Sequence, residues 1–442
     1  MDWLTDIHDA THQEEVASLW AATAPPGPPL LPLVADTVAD VAIVGGGFTG
    51  LAAAIALADA QRDVVVLEAA QPGYGASGRN GGQVIPGLKY DPDDLEARHG
   101  SDLGPRLVRT VAAGPDLVFE LIRRFSIDCD ARRAGWIQPS HTEATRRLVE
   151  RRAAQWQARR APVRVLDATE VEALTGSRLY NGGWLDERAG TVQPLAYVRG
   201  LARAAVGLGV RVHAESPVLG LESDGGGWRL RTPRGTVRAR QVIIATNAYS
   251  GQLHGALRRS VVAVPSLQVA TTPLSAEWRQ RILPGRHAVS DTYNLLRYYR
   301  LDAAGRLVVG ARGQYGQRSG AQLLRHHAAA IAEIYPDLGR PEYDYCWNGY
   351  VAVTTDHVPH LHDLGQGIYA ALGYNGRGVA MAAMLGRLVA GLALDRPDPD
   401  GYVYPVTPLA PIPLHAFSRI GVRATIGWLR MKDGRWLAEG ST

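Results

Sequence analysis

Cysteine and lysine are both scarce in this chain. Cys129 and Cys346 are the only cysteines among 442 residues, too few for a disulfide scaffold or a four-cysteine zinc site, so we expect a protein of the reducing cytoplasm. Lys89 and Lys432 are the only lysines, and arginine supplies the remaining basic residues. The 47 basic and 43 acidic residues leave a net charge of only +4. Because no concentrated basic stripe occurs, no nucleic-acid partner is expected.

Long hydrophobic runs are also missing. Residues 41–58 carry no charge, but the glycines at 45–47 and 50 interrupt this stretch. Such glycines suit a strand, a turn and a buried helix better than a membrane span, so no membrane span is expected. The acidic segment 1–9 has no basic region followed by an apolar run, and we therefore expect no secretory signal.

The sequence also lacks the residue patterns of a metal site and of a hydrolase active site. His357, His360 and His362 lie close together, but no cysteine or suitably spaced acid pair accompanies them. We therefore expect no metal site. The sequence also lacks a G-x-S-x-G elbow and a Cys/His nucleophile arrangement, so hydrolysis is not expected.

The strongest positive signal is the segment 45–50, whose sequence GGGFTG fits the pattern G-x-G-x-x-G. It follows an apolar strand at 40–44 and opens an Ala-rich helix, and a second strand at 64–68 ends in a glutamate. In such a unit the first glycine permits the tight turn, the second admits a pyrophosphate, and the third lets helix and strand pack closely. The terminal glutamate accepts ribose hydroxyls, and the helix N-terminus attracts phosphate. The predicted dinucleotide contacts are Gly45, Gly47, Phe48, Thr49, Gly50, Glu68 and Ala69.

The glycine pattern does not separate NAD from FAD, but the next loop does. Its sequence over 75–83, GASGRNGGQ, is too rich in glycine for a helix and too polar for a core. Here the chain resembles the D-amino-acid oxidase superfamily of FAD enzymes and, within it, the gamma-glutamylputrescine oxidase-like branch. The resemblance continues through the segments 127–130, 242–249, 298–301, 347–349, 355–359 and 373–379.

This resemblance implies a bound FAD without a covalent link. Some relatives tether the flavin through a Cys, and Gly349 stands at that place here, with Cys346 expected to be a packed apolar residue. Some relatives also use a Lys near the flavin to activate oxygen, and Lys89 is the only candidate lysine. Arg377 and Lys89 remain alternatives for that role. The further implied FAD contacts are Ser77, Arg79, Asn80, Gly81, Gly82, Gln83, Val218, Ala245, Asn247, Trp347, Gly349, Gly373, Asn375, Gly376, Arg377, Gly378 and Val379.

The predicted fold class is α/β. A Rossmann-like FAD-binding domain is interleaved with an α+β substrate domain that contains an antiparallel sheet. The predicted divisions are an N-terminal arm at 1–38, the FAD-binding domain at 39–91, 190–256 and 346–400, the substrate domain at 92–189 and 257–345, and a C-terminal tail at 401–442.

The resemblance implies oxidation of a C–N bond in an amine or amino acid. A hydride passes from the substrate to flavin N5, the imine is hydrolysed, and oxygen or another acceptor reoxidises the flavin. Two alternatives remain: a non-catalytic flavin-binding subunit of a larger complex, and an NAD-dependent dehydrogenase. The substrate's identity stays open, as do the oligomeric state and the choice between oxidase and dehydrogenase.

Three residues are predicted to act on the substrate or the reduced flavin. Arg377, with the helix that begins near Val379, is expected to favour the anionic reduced flavin. Alternation over a strand at 293–300 puts Arg297 and Tyr299 on one face, where Arg297 is expected to bind a substrate carboxylate. The alternative places Arg297 on the outer face of the sheet.

Overall fold

The computed structural model describes residues 17–251, 253–312 and 320–434, without the side chains of 320–323. Predictions for the first 16 residues of the arm and the last eight residues of the tail lie outside the described residues. The strands in chain order are β1 (Thr37–Val44), β2 (Val64–Leu67), β3 (Gln83–Val84), β4 (Trp136–Ser140), β5 (Val163–Leu166), β6 (Gly182–Asp186), β7 (Gly190–Thr191), β8 (Arg211–His213), β9 (Gly220–Asp224), β10 (Gly227–Arg231), β11 (Thr236–Ile244), β12 (Val262–Pro273), β13 (Ala288–Ser290), β14 (Tyr298–Leu301), β15 (Arg306–Arg312), β16 (Tyr343–Val353), β17 (His360–Asp363) and β18 (Ile368–Leu372). The helices are α1 (Leu19–Thr23), α2 (Phe48–Asp59), α3 (Pro92–Ala112), α4 (Gly114–Arg124), α5 (Glu143–Ala158), α6 (Ala168–Thr175), α7 (Pro194–Gly207), α8 (Gly255–Arg259), α9 (Ala276–Arg281), α10 (Gly320–Ile334), α11 (Gly378–Ala393) and α12 (Ser418–Lys432).

The first sheet has a parallel centre. Its order is β17-β18-β11-β1-β2-β8, and β10 and β9 are attached beside β11. The strands from β18 to β8 in that order run parallel, whereas β17 is antiparallel to β18. Short apolar strands such as β2 are buried along their whole length, as expected where helices cover a parallel sheet. The helices α2, α7 and α11 share one buried apolar cluster with this sheet. This arrangement confirms the predicted Rossmann-like domain.

The second sheet is almost entirely antiparallel. Its order is β16-β12-β15-β14-β13-β4-β6-β5, and only the pair β13 and β4 is parallel. The predicted antiparallel sheet in an interleaved second domain is therefore confirmed. One boundary differs, because β16 pairs with β12 in this sheet. Residues 346–353, which the sequence assigns to the FAD-binding domain, therefore belong to the second sheet.

The two ends of the chain carry more structure than their sequence suggested. In the arm, Trp20 of α1 is 1% exposed, and the Arg199 and Arg203 side chains of α7 donate hydrogen bonds to the carbonyls of Pro25 and Pro26. In the tail predicted at 401–442, residues 418–432 form the helix α12. No helix in the described ranges combines the length and the apolar character needed to cross a bilayer.

Candidate active site

A cavity of about 1320 Å³ lies between the two sheets. Its walls come from the turn after β1, the loop 75–83, the segment 85–91, the strands β12 and β16, and the turn before α11. Small-molecule pockets usually occupy about 300–1,000 Å³. A cavity larger than this range has room for a dinucleotide and a substrate together.

The glycine turn after β1 closes tightly on itself. A Cβ on Gly50 would lie 2.0 Å from the backbone oxygen of Gly45, so only glycine fits this crossing of strand and helix. The Gly46 N–H donates to Glu68 Oε2 at 2.6 Å, and the Ala70 N–H donates to Glu68 Oε1 at 3.0 Å. Burial raises the pKa of the Glu68 carboxyl, although these N–H groups oppose the rise. An ionised carboxylate with two such donors keeps lone pairs for ribose hydroxyls.

The first turn of α2 faces the cavity beside Ser77. Ser77 Oγ accepts a hydrogen bond of 3.0 Å from the Phe48 N–H. A Cβ on Gly47 would lie only 2.8 Å from that oxygen, so any larger residue displaces Ser77 as well as narrowing the space above the turn. The first N–H groups of a helix have no intrahelical acceptor, and they attract anions such as a pyrophosphate.

The loop 75–83 is fixed by its own Asn80. The side-chain amide of Asn80 donates to the carbonyls of Ala76 and Ser77, and its oxygen accepts from the Gly82 N–H at 2.8 Å. Asn80 therefore shapes the loop from inside. At the end of the loop, Gln83 donates to the carbonyl of Val289 at 2.9 Å, so it joins the loop to the second sheet.

Three distant side chains hold the carbonyls of this loop from outside. Trp20 donates from its ring nitrogen to the Asn80 carbonyl at 2.8 Å, and Trp347 donates to the Arg79 carbonyl at 3.0 Å. The two indole rings meet edge to face with centroids 5.6 Å apart. Gln268 also donates to the Arg79 carbonyl, but its Oε1 is buried against the cavity with no hydrogen-bond partner among the described residues. A bound molecule with an N–H group would satisfy that acceptor.

The turn before α11 is rigid and connected to the first turn of α2. Asn375 is buried, and its side-chain oxygen accepts from the Thr354 N–H at 3.0 Å. The Asn247 side chain accepts from the Gly373 N–H at 2.9 Å. Tyr374 Oη lies 2.6 Å from the Thr49 hydroxyl, so the two helix starts that face the cavity are joined directly.

Lys89 and Arg377 are among the basic residues that line the cavity. Neither side chain has a hydrogen bond or an ion pair with any residue that the structure describes, and the Arg377 guanidinium lies 4.9 Å over the Trp136 ring. Burial, with the charges of Arg377, Arg312 and Arg152, lowers the pKa of Lys89 to about 8. Burial, with the charge of Arg152 and against the charges of Asp186 and Asp91, lowers the pKa of Arg377 to about 10. Burial contributes most to both shifts, and the arginines around Lys89 add positive charge at this end of the cavity.

The carboxylates that line the cavity are already engaged. Asp91 accepts from Arg152 Nε at 2.7 Å, and Asp291 accepts from Arg297 Nε at 2.5 Å. Glu68 holds the backbone of the first turn, as described above. Within the described part of the wall, Lys89 and Arg377 therefore form no direct ion pair, and the charges of Asp91 and Asp186 offset that of Arg377 only in part.

The predicted strand at 293–300 is wrong for its first half. Strand β14 begins only at Tyr298, and residues 291–297 form a loop in which the Asp291 N–H donates to the Arg297 carbonyl at 3.0 Å. The predicted alternation holds within β14, but the opposite face meets the cavity. Leu296 and Tyr298 line the cavity, whereas Arg297 and Tyr299 do not.

Arg297 and Tyr299 are therefore reassigned to the framework. Arg297 is 1% exposed, and its guanidinium bonds to Asp291 and, at 2.8 Å, to Glu333. Although burial disfavours its charge, these carboxylates raise the pKa of Arg297. Tyr299 is fully buried and lies 3.3 Å from Tyr180, oxygen to oxygen. The structure thus does not bring either side chain to the substrate.

Most of the predicted cofactor residues do line the cavity. A few lie just behind its wall and position their neighbours: Gly50, Gly82, Trp347 and Gly373. The predicted residues that line it are Gly45, Gly47, Phe48, Thr49, Glu68, Ala69, Ser77, Arg79, Asn80, Gly81, Gln83, Val218, Ala245, Asn247, Gly349, Asn375, Gly376, Arg377, Gly378 and Val379. Cys346 does not line the cavity, which agrees with its predicted role as a packing residue.

The sequence analysis missed several wall residues. Gln268 and Arg312 come from β12 and β15, Arg152 comes from α5, and Trp20 supports the site from the arm. Single polar residues within strands and helices carry no spacing signal, so only the fold brings them together.

The residues present fit FAD. The first turn with Ser77 suits a pyrophosphate, Glu68 suits a ribose, and the orphaned Gln268 Oε1 suits an N–H of the ligand. No cluster of potential metal ligands occurs within the described residues.

Comparisons with known proteins agree with this geometry. The family profile described as "DAO: FAD dependent oxidoreductase" matches residues 40–392. The chain is 34% identical over 380 residues to gamma-glutamylputrescine oxidoreductase of Escherichia coli strain K12, covering 86% of this chain and 89% of that protein. It is 33% identical over 364 residues to the probable oxidoreductase OrdL of Haemophilus influenzae, covering 81% and 84%. Among solved structures, glycine oxidase from Geobacillus kaustophilus superposes with a TM-score of 0.71 at 25% identity, covering 85% of this chain and 99% of that one.

Proposed function

We propose that the substrate of this chain, which belongs to the DAO family of FAD-dependent oxidoreductases, is an amine that carries a carboxylate. Members of this family act on amines or amino acids. One observation carries this finer proposal. Lys89 and Arg377 present two positive charges to the cavity, and neither forms an ion pair with a carboxylate among the described residues. A substrate carboxylate would supply a direct ionic partner through charge-assisted hydrogen bonds.

The relatives' substrates are consistent with this proposal. Glycine carries a carboxylate next to its amine, and gamma-glutamylputrescine carries one on its glutamyl group. A plain polyamine would bring only further positive charge to a positive wall, which costs free energy because like charges repel strongly at low dielectric. On this proposal, the wall favours a substrate carboxylate and disfavours a second ammonium that has no carboxylate beside it.

The same cations would also help the amine react. Oxidation of the α-carbon requires a neutral amine, and neighbouring positive charges lower the pKa of an ammonium. The pKa of Lys89 itself, about 8, reports this effect on an amine within the cavity, together with the effect of burial. Bound FAD supplies the hydride acceptor, and the chain contributes alignment, charge and exclusion of water. No general base is needed if the amine binds neutral.

Aromatic and hydroxyl groups complete the substrate end of the cavity. Trp136 and Trp184 meet edge to face with centroids 5.5 Å apart, and both line the cavity. Tyr298 Oη lies 2.9 Å from Ser266 Oγ on the neighbouring strand. These walls would exclude water around the reacting carbon. Tyr293 of the loop 291–297 also lines the cavity.

The proposal extends to the cofactor's attachment and to the setting. We expect FAD without a covalent link, since Gly349 lies at the wall and Cys346 lies away from it. We expect a cytoplasmic protein, because two cysteines that form no disulfide suit a reducing compartment. Oxygen or another acceptor would reoxidise the flavin.

The test compares two pairs of amines. Glycine and methylamine differ by a carboxylate alone, and gamma-glutamylputrescine and putrescine differ by a glutamyl group that carries a carboxylate. Each is added without oxygen to the holoenzyme, and the loss of the flavin's visible absorbance is followed. A desolvated ion pair is worth about 2–3 kcal/mol, so we expect the carboxylated member of at least one pair to react roughly 30–150 times faster in kcat/KM. Lys89→Met and Arg377→Met should each reduce this ratio.

Arg124→Met provides the matched control, because Arg124 pairs with Asp59 at the surface of α4 and α2, and neither residue lines the cavity. Its ratio should equal that of the wild type. Faster bleaching by the amine without a carboxylate would contradict the substrate proposal alone. Bound FAD that no amine bleaches would instead favour a flavin-binding subunit.

A further inference from the structure

The C-terminal helix α12 is attached to the substrate domain by one side. Its Ile426 is buried at 8% exposure. Asp433, directly after the helix, accepts hydrogen bonds from the Asn294 N–H at 3.0 Å, the Asn294 side-chain amide at 2.7 Å and the Leu295 N–H at 3.0 Å. These bonds tie the end of α12 to the loop 291–297 that lines the cavity. The helix is therefore part of the folded molecule with a defined outer side.

That outer side is apolar. The residues Phe417, Ile420, Trp428 and Met431 are between 50% and 64% exposed. With Ala424 they recur at intervals of three and four residues, which places them in one stripe along the helix. We call these five residues the outer stripe. At about 100° per residue the stripe is about 80° wide and extends over the 15 residues of the helix, about 22 Å. Large apolar side chains gathered in this way mark an interaction surface.

The charges of α12 all have one sign. Residues 418–432 contain Arg419, Arg423, Arg430 and Lys432 and no aspartate or glutamate. By the same helical geometry, Arg423 borders the outer stripe on one side and Lys432 on the other. The Lys432 ammonium lies 3.8 Å over the Trp428 ring, so a positive charge sits directly at the edge of the apolar surface.

We propose that the outer stripe docks on the surface of an anionic lipid bilayer. A helix with Trp, Phe and Ile on one side and flanking Arg and Lys lies in the interface, with its apolar side among the acyl chains and its cations at the headgroups. Trp and Lys at the edge of such a stripe suit the boundary between water and lipid. Because no helix in the described ranges is long and apolar enough to span the membrane, the attachment is to one leaflet.

The charges favour this occupant over a second copy of the chain. Two α12 helices packed stripe to stripe would bring the Arg423 and Lys432 cations of both copies, four like charges, to the edges of the contact, which opposes association. An anionic leaflet supplies the opposite charge along the whole helix. The proposal concerns only α12 and does not depend on the substrate proposed above.

The test is flotation of the full-length holoenzyme with lipid vesicles. Vesicles of phosphatidylcholine and phosphatidylglycerol should carry the protein upward at low salt, and vesicles of phosphatidylcholine alone should carry much less. Trp428→Glu should weaken binding by roughly tenfold or more, because it places a carboxylate in the stripe. The double variant Arg423→Ser with Lys432→Ser should weaken it by about 20–30-fold, at about fivefold per cation.

Leu31→Glu is the matched control, because Leu31 is 78% exposed but lies in the arm. It should bind as the wild type does, and all variants should keep their FAD content. The proposal is overturned if the wild type fails to float with anionic vesicles, or if Trp428→Glu floats as well as Leu31→Glu. It is also overturned if light scattering finds a dimer that Trp428→Glu dissociates, since the stripe would then bind a second copy.

Discussion

Replacing Arg297 by methionine separates a role in the framework from a role in substrate binding. Arg297 is 1% exposed and Asp291 is fully buried, with 2.5 Å between Nε and Oδ2. Removing one partner of a buried ion pair costs about 3–5 kcal/mol, because the other charge stays buried. We expect Arg297→Met to lower the free energy of unfolding by about 3 kcal/mol, at the low end of this range. The reason is that Asp291 still accepts hydrogen bonds from the backbone N–H of residue 297 at 2.9 Å and of Tyr293 at 3.3 Å.

The assay is urea unfolding of the holoenzyme, followed by tryptophan fluorescence. Arg297→Met should move the midpoint strongly to lower urea with little change in the slope. Glu333→Gln is the matched control, because Glu333 is 41% exposed and its bond to the same guanidinium should contribute less than about 1 kcal/mol. Kinetics provide the second measurement, with an amino acid compared with its decarboxylated amine.

A framework role predicts that the preference for the carboxylated substrate stays within about twofold of the wild type, even if both reactions slow as the loop 291–297 loosens. A preference that collapses by tenfold or more in Arg297→Met, at unchanged stability, would refute this reasoning. Arg297 would then have to reach the substrate, as the strand alternation first suggested.

Other consequences are open to simple measurements. A ligand that has a carboxylate but no amine should bind more weakly as the pH rises through about 8, because Lys89 loses its proton there. Titrations followed by the flavin absorbance should show that Lys89→Met removes this pH dependence. Trp20→Phe deletes the hydrogen bond to the Asn80 carbonyl and should weaken FAD binding by about fivefold to tenfold in a titration of the apoprotein. Unchanged affinity would show that the loop 75–83 does not need this contact with the arm to bind FAD. Gly47→Val should purify without FAD, since its side chain meets Ser77 Oγ, and a yellow, folded variant would contradict that. Acid precipitation should leave a colourless pellet and a yellow supernatant, and a pellet that stays yellow after washing would indicate a covalent link.

The nucleotide-binding unit could be predicted almost completely from the sequence. The glycines between β1 and α2, the two short apolar strands and Glu68 all lie within about thirty residues of chain. Local steric rules decide such a unit, because the turn conformation and the close packing of helix and strand depend on residues that are neighbours in sequence. The loop 75–83 added FAD to the prediction through its resemblance to known flavoenzymes.

The substrate end was decided by the tertiary structure. Alternation correctly separated the two faces around Tyr298, but it could not say which face the cavity would meet. Nor could it show that residues 291–297 form a loop whose ends are joined by the ion pair of Arg297 with Asp291. Lys89 and Arg377 are 288 residues apart in sequence, and only the interleaving of the two domains makes them one positive wall. The sequence by itself determined the nucleotide fold, because that unit depends on local geometry, and it indicated the family through the resemblance of its segments to known flavoenzymes. The tertiary structure decided which charges remain without a partner, because pairing depends on contacts between distant segments.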